Sequence, residues 1–179
     1  MPRAQWGKGS AVNDLERLVA RDEIRQLAYR YALATDSRDL DTLIALFVDD
    51  VQVGRDQRGH PALRDAFDRS LREVGITILF VANHLIDFDD DDRGQGVVYC
   101  RGEIQDGDRW LTQAIQYRDR YERRDGRWLF VRRQHLLWYG AALGENPLSL
   151  PPANWPEHPT GRGTLPECWE SWRRFWNDA

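Results

Sequence analysis

A chain of 179 residues, 41 % hydrophobic and 30 % charged, is sized for one soluble globular domain rather than two cores, a disordered tether or a membrane span. Its formal net charge of -4 argues against nucleic acid as the main partner. Lys8 is the only lysine among 25 basic residues, so Schiff-base chemistry, pyridoxal phosphate attachment and P-loop phosphate binding each lack a positioned amine.

Residues 1–12 carry Pro2, Gly7, Gly9 and Ser10 without an apolar period and read as a flexible tail. The start of the chain has no secretory apolar stretch, and no run approaches the roughly 18 apolar residues of a membrane span, so a cytoplasmic protein with no membrane partner is expected. Asn13, followed by Glu16, forms a capping box that opens a helix. Leu15, Leu18, Val19, Ile24, Leu27, Ala28 and Tyr31 keep helical spacing, and Arg21-Asp22-Glu23 marks a point where this run can divide. Asp39 caps a second helix bearing Leu40, Leu43, Ile44 and Phe47. Residues 61–73 make a third, with Pro61 in its first turn.

At residue 76 the period changes to that of strands. Ile76–Phe88, Gln95–Gln105, Trp110–Arg123 and Arg127–Tyr139 are rich in Val, Ile, Tyr, Phe and Trp. Between them lie Asp89–Asp92, Asp106-Gly107 and Asp125-Gly126, which signal hairpins. Helices followed by an antiparallel meander give an α+β domain over residues 13–140, its strands curving around the helices into a cone open at one end. Residues 141–179 form a Trp/Pro-rich arm, expected to pack on the domain, on a neighbouring subunit or over the mouth of a pocket. A short helix is predicted at Glu167–Trp176. Cys100 and Cys168 are too few for a disulfide framework and lack zinc-ligand spacing.

The strings Tyr31-Ala-Leu-Ala-Thr-Asp36, Leu46-Phe47-Val48-Asp49-Asp50, Ala82-Asn83-His84-Leu85-Ile86-Asp87 and Tyr121-Glu-Arg-Arg-Asp-Gly-Arg-Trp128, in that order, resemble the SnoaL-like group of the NTF2-like superfamily. The resemblance covers roughly residues 12–140. It implies a cone of N-terminal helices wrapped by a strongly curved antiparallel sheet (the NTF2-like α+β barrel), assembled as a homodimer or homotrimer, with a small-molecule pocket inside. The dehydratase- and dehydrochlorinase-type members are cofactorless lyases. Their pattern has an aspartate after the first long helix that supports a histidine base at the start of the first long strand. A tyrosine or lysine stands five residues before that aspartate, and an arginine lies on the last strand. Laid on this chain, the pattern assigns Asp36, Tyr31 and Arg133, while the histidine position falls on Leu79, which cannot accept a proton.

Strand alternation then sorts the walls. Leu79, Val81 and Asn83 are expected to share the inner face and His84 to point away. On the later strands the resemblance turns Val98, Cys100 and Gly102, then Gln113, Ile115 and Tyr117, then Arg133, His135 and Leu137 inward, with Val53 also on the pocket. His135 would restore the base that Leu79 removes, unless a bulge between 128 and 135 reverses the parity. Asp36 sits at the carboxyl end of a helix, where the macrodipole disfavours an anion, so a partner such as His135 or Arg133 is expected; a turn-forming Asp is the alternative. Tyr31 fits either core packing or the site. Arg133, if buried, needs a carboxylate such as Asp36 or a substrate oxygen. His84 beside Asp87 reads as structural, and His60 and His158, next to prolines, as surface or loop residues.

Asp89–Asp92 reads as a solvated tip, and no spacing fits a metal. Arg118, Arg120, Arg123, Arg124, Arg127 and Arg132 read as an outer face salt-bridged to Asp119, Glu122 and Asp125. The functional expectation is a lyase without cofactor or metal that eliminates water or a related group, or cleaves a C–C bond, on an apolar aromatic or polycyclic molecule. His135 would act as base, Asp36 as its orienting partner, and Tyr31, Tyr117 or Arg133 as stabilisers. An isomerase, a non-catalytic binding protein and a structural β-subunit of an aromatic-ring dioxygenase are the alternatives.

Overall fold

The computed structural model describes residues 14–144, 146, 149–152, 161, 164 and 166–177. The expected tail, the Asn13 cap and His158 lie outside them. Helix α1 (Asp14–Asp36) runs unbroken for 23 residues. It contains neither Gly nor Pro, so the polar stretch at Arg21 does not divide it. Arg21 instead donates from Nη1 to the Ile86 carbonyl at 2.6 Å, tying the helix to the sheet. Leu15 and Leu18 overhang the core at 59 % and 60 % exposure, and burial begins in earnest at Ile24.

Helix α2 (Leu40–Ala45) is capped by Asp39, whose carboxylate accepts from Thr42 N at 3.1 Å and Thr42 Oγ1 at 2.7 Å. Beyond it, Phe47 bridges Phe130, with Val48 N donating to Phe130 O at 3.0 Å and Phe130 N to Leu46 O at 2.9 Å. The helical layer is thus stitched to the far edge of the sheet. A two-residue hairpin, β1 (Gln52–Val53) and β2 (Gln57–Arg58), leads into α3 (Gly59–Arg72), which holds Pro61 in its first turn. His60 lies in the first turn of α3 rather than in a loop, half-exposed, with Nε2 3.0 Å from the Phe47 carbonyl oxygen.

Strands β3 (Thr77–Phe88), β4 (Arg93–Asp106), β5 (Arg109–Arg124) and β6 (Arg127–Ala142) form one antiparallel meander in that order. The last hairpin turns at Asp125 (φ 51°) and Gly126 (φ 78°), the left-handed pair that a two-residue turn requires. Helix α1 touches β3 and β6, the two edge strands, so the sheet wraps it. The α+β cone expected from the sequence is the architecture observed. Ile24, Leu27, Phe47, Ile86, Tyr121 and Phe130 fill the main core between helices and sheet.

Bulges bend the sheet and reset its faces. In β3, Val81 pairs with Cys100 but His84 pairs with Val98, so two residues, Ala82 and Asn83, oppose one on β4. The slip inverts the alternation beyond Val81. Asn83 is therefore exposed on the outer face and His84 turns inward, the reverse of the strict-alternation expectation. On β6, irregularities lie opposite Arg120/Tyr121 and Ala114/Ile115. Arg133 and His135 fall between them, paired with Asp119 and Tyr117, and face inward.

Gly96 on the inner face of β4 shows how close the packing is: a Cβ there would sit 2.7 Å from Tyr121 Oη and 2.9 Å from Leu85 O. Gly96→Ala is expected to cost about 1–3 kcal/mol by forcing Tyr121 aside. Chemical denaturation checks this, and an unchanged midpoint would count against it.

Helix α4 (Glu170–Asn177) starts three residues later than predicted. Its Trp172 packs with Ile76 and Trp110, and Phe175 with Ala34, Leu43 and Leu71. Among the described residues no helix is long and apolar enough to cross a membrane.

Candidate active site

A cavity of about 860 Å³ opens inside the cone between α1, α3 and the inner sheet face, its wall including Tyr31, Leu79, Ile115, Tyr117, Arg133 and His135. Arg133 is the buried cation of that wall. Its Nε and Nη2 donate to Asp119 Oδ1 and Oδ2 at 2.9 and 2.7 Å, and both side chains are buried (4 % and 0 % exposed). The guanidinium also lies against the rings of Tyr31, Tyr117 and Phe130, 4.3–4.4 Å from each centroid. Burial alone would drive the charge off Arg133, yet the paired carboxylate holds it more firmly protonated than a free arginine.

Asp119 was expected on a solvated outer face. It is 3 % exposed and points inward, as it must, since it shares parity with Ile115 and Tyr117. Tyr121 Oη donates to Asp119 Oδ2 at 2.9 Å, and His84 Nε2 lies 3.0 Å from that hydroxyl. The phenol's single proton goes to Asp119, so Nε2 is the donor to the phenol oxygen. Burial lowers the His84 pKa to about 4, with Asp119 opposing and Arg133 and Arg25 reinforcing the shift. His84, Tyr121 and Asp119 form a buried chain behind Arg133 that strand alternation alone did not reveal.

Asp36 ends α1 and receives Thr77 Oγ1 on Oδ1 and Leu79 N on Oδ2, each at 2.9 Å. Burial raises its pKa to about 6, against the pull of those two bonds and of Arg38. Neither expected partner reaches it. Arg133 is committed to Asp119, and the His135 ring lies on Tyr117 with centroids 5.4 Å apart, sharing no hydrogen bond or ion pair with Asp36. Burial and the nearby Arg133 charge lower the His135 pKa, so this imidazole is neutral near pH 7. The Asp36 carboxylate is instead bonded to the start of β3, next to Thr35, Thr77 and Leu79, which line the cavity while Asp36 itself does not.

The remaining expected wall residues separate. Gln113 lines the cavity. Val98 and Cys100 lie beneath its surface, packed with Ala28, Ile115 and Tyr117, and Val53 packs against the main core instead. Leu137 keeps the inner parity, opposite Ile115, but is 53 % exposed and off the wall. Unforeseen wall residues come from α3 and the small hairpin, among them Leu63, Phe67 and Gln52. The hairpin strands are too short to show any period. No described residue of 141–179 lines the cavity, so the arm's described tryptophans do not cover it. Among the described residues no three His, Cys, Asp or Glu side chains converge as a metal site.

The Asp36 shift has a consequence for stability. A folded-state pKa near 6, above the 3.8 of a free aspartate, favours the protonated carboxyl in the fold. Its contribution is fully present below pH 3.8 and is lost as pH rises through 6. Asp36→Asn is therefore expected to melt higher than the native chain at pH 7, by on the order of 2 kcal/mol, with the gap closing below about pH 4. Thermal melts across that range decide it; a variant less stable at pH 7 would contradict the assignment.

The SnoaL-like domain family model matches residues 16–134. Hexachlorocyclohexane dehydrochlorinase 1 of Sphingobium indicum is 28 % identical over 124 residues, 65 % of this chain and 80 % of that protein. The solved structure of a type 2 hexachlorocyclohexane dehydrochlorinase (LinA) superposes with TM-score 0.64 at 27 % identity, covering 74 % of this chain and 94 % of the other. A type 3 structure from Novosphingobium barchaimii LL02 shares the fold with TM-score 0.66 at 24 % identity, covering 74 % and 95 %. The first two of these relatives are dehydrochlorinases, enzymes that eliminate hydrogen chloride.

Proposed function

Because the chain belongs to the SnoaL-like family of the NTF2-like superfamily, we propose that it is a lyase that needs no cofactor and eliminates water or halide from a neutral, apolar cyclic molecule held in the cone. The observation that carries this reading is the Asp36 carboxylate, held by two residues of the cavity wall, Thr77 and Leu79, with a pKa near 6. A base is most useful when its pKa lies near the working pH.

In the resembling lyases an aspartate supports a histidine. Here Leu79 stands at the histidine position and gives Asp36 only its backbone N–H. We therefore assign the base to Asp36 itself. The carboxylate takes the C–H proton, the released electron pair becomes the new double bond, and the leaving group departs with its bonding pair. Tyr31 and Tyr117, whose pKa values burial pushes up, stay protonated and serve as neutral donors to that group. Arg133 keeps Nη1 outside its pairing with Asp119 and adds a fixed charge nearby. His135 offers a further neutral donor from the wall. Since the Arg133 charge is already balanced, the site favours an uncharged substrate.

Exposed Phe80, Tyr99 and Trp138 on the sheet, the last two in edge contact at 6.0 Å, support a homodimer or homotrimer. Light scattering checks that assembly.

The direct test incubates the dialysed chain, with chelator present, with a panel of neutral cyclic halides and β-hydroxy ketones, following halide release and alkene formation by mass spectrometry. Product from at least one class is expected. Leu79 also favours a second reading, a binding protein that has lost the chemistry. Panel members that raise the melting temperature without being converted would establish that reading and end the enzymatic one.

A further inference from the structure

We propose that helix α4 is a positioning element for Asp36, acting through Trp172, Arg38 and Thr77. The inference rests on the reading of Asp36 as the base, and it concerns a segment beyond the family match, which ends at residue 134.

Arg38 lies in the turn between α1 and α2 and is only 2 % exposed. It adopts φ 59°, a left-handed conformation that costs a non-glycine residue energy, so its contacts must hold it there. Its Nη1 donates to Thr35 O at 2.6 Å and to Thr77 Oγ1 at 2.9 Å, and its Nη2 donates to Gly75 O. The Trp172 indole covers the guanidinium, 4.9 Å from ring centroid to Cζ. Ser171 Oγ fastens the same helix by donating to Ser37 O at 2.8 Å.

Donor and acceptor roles make this a directed relay. A guanidinium can only donate, so the Thr77 oxygen must accept from Arg38. The hydroxyl has one proton left to give, and its partner is Asp36 Oδ1 at 2.9 Å. Leu79 N holds Oδ2, so the carboxylate is fixed at both oxygens. The groups facing Asp36 are Arg38 from the turn, the Thr77 hydroxyl and Leu79 N–H from β3, and the Cys100 thiol from β4. Burial raises that thiol to about 11, so near pH 7 it is neutral and Arg38 is the one charge in the set. Whatever loosens Arg38 therefore weakens both the hydrogen bond and the positive field that hold Asp36 ionised.

The test needs no substrate. The Asp36 carboxylate of the full chain is titrated by carbon-13 NMR in the native protein, Trp172→Met and Trp172→Phe. Methionine fills the space without an aromatic face, so the midpoint is expected to rise by about half a pH unit, roughly a threefold change in proton affinity. Phenylalanine keeps a face for the guanidinium and is expected to restore most of the native value. Arg38→Lys serves if Trp172→Met does not fold: an ammonium cannot span the three acceptors in one plane, and the midpoint again rises. A native midpoint in whichever of these two folds overturns the relay while leaving Asp36 free to be the base. Conversely, an Asp36→Asn variant with full turnover removes Asp36 from the chemistry even if the midpoint moves.

Discussion

Asp36→Asn is expected to lower turnover by about 10²–10⁴-fold on any substrate the chain accepts, the range general-base catalysis contributes. The amide can still accept from Leu79 N, so the local fold survives while the proton acceptor is gone. Near-native circular dichroism should accompany the loss, which separates lost chemistry from lost structure. His135→Gln is the informative control. His135 lines the cavity but makes no bond to Asp36, so removing it is expected to cost only about tenfold, one modest hydrogen bond in the transition state. The opposite ranking, with His135→Gln inactive and Asp36→Asn active, would return the base to the imidazole and refute the assignment made here. The acid limb of the kcat/KM profile of the native enzyme should lie near the Asp36 value of about 6.

Asp119→Ala is expected to destabilise the fold by about 3–5 kcal/mol, because it strands the Arg133 charge in a dry site. Arg133 is 4 % exposed at its side chain and surrounded by Tyr31, Tyr117 and Phe130, which offer π faces but no anion. Tyr121 loses its acceptor in the same stroke. For a domain of this size the melting temperature should fall by roughly 10 °C. Adding Arg133→Met to Asp119→Leu should recover much of that loss, since removing both charges leaves nothing unpaired. An Asp119→Ala melt within about 2 °C of the native value would mean the charge finds water or another partner, contrary to this account.

The fold was legible because long periodic segments report their own geometry. Asp125-Gly126 and Asp106-Gly107 announced their turns, and the apolar alternation of β3 to β6 left little choice of class. Tyr31 stood on the helix stripe, and the family resemblance turned Tyr117, Arg133 and His135 toward the wall; a bulge does fall at Val131, within the stretch where one was expected to reverse His135, yet Arg133 and His135 still line the cavity. The bulge at Ala82-Asn83 was not legible. It carries no glycine, and one irregular pair exchanged the faces of Asn83 and His84. Asp119 was hidden differently. Arginines at 118, 120, 123 and 124 surround it in sequence, and a charged run reads as solvated although alternate residues in a strand go opposite ways. The Asp36 partners were out of reach, since a bond between residues 41 positions apart depends on how α1 ends against β3.

The most direct measurement is a crystal structure of the chain with an unreactive substrate analogue seated in the cone. An Asp36 carboxylate oxygen is expected about 3–3.5 Å from the carbon that would lose its proton, the distance of a near-attack arrangement. An analogue bound with Leu79 standing between it and Asp36, and His135 facing that carbon, would contradict that expectation.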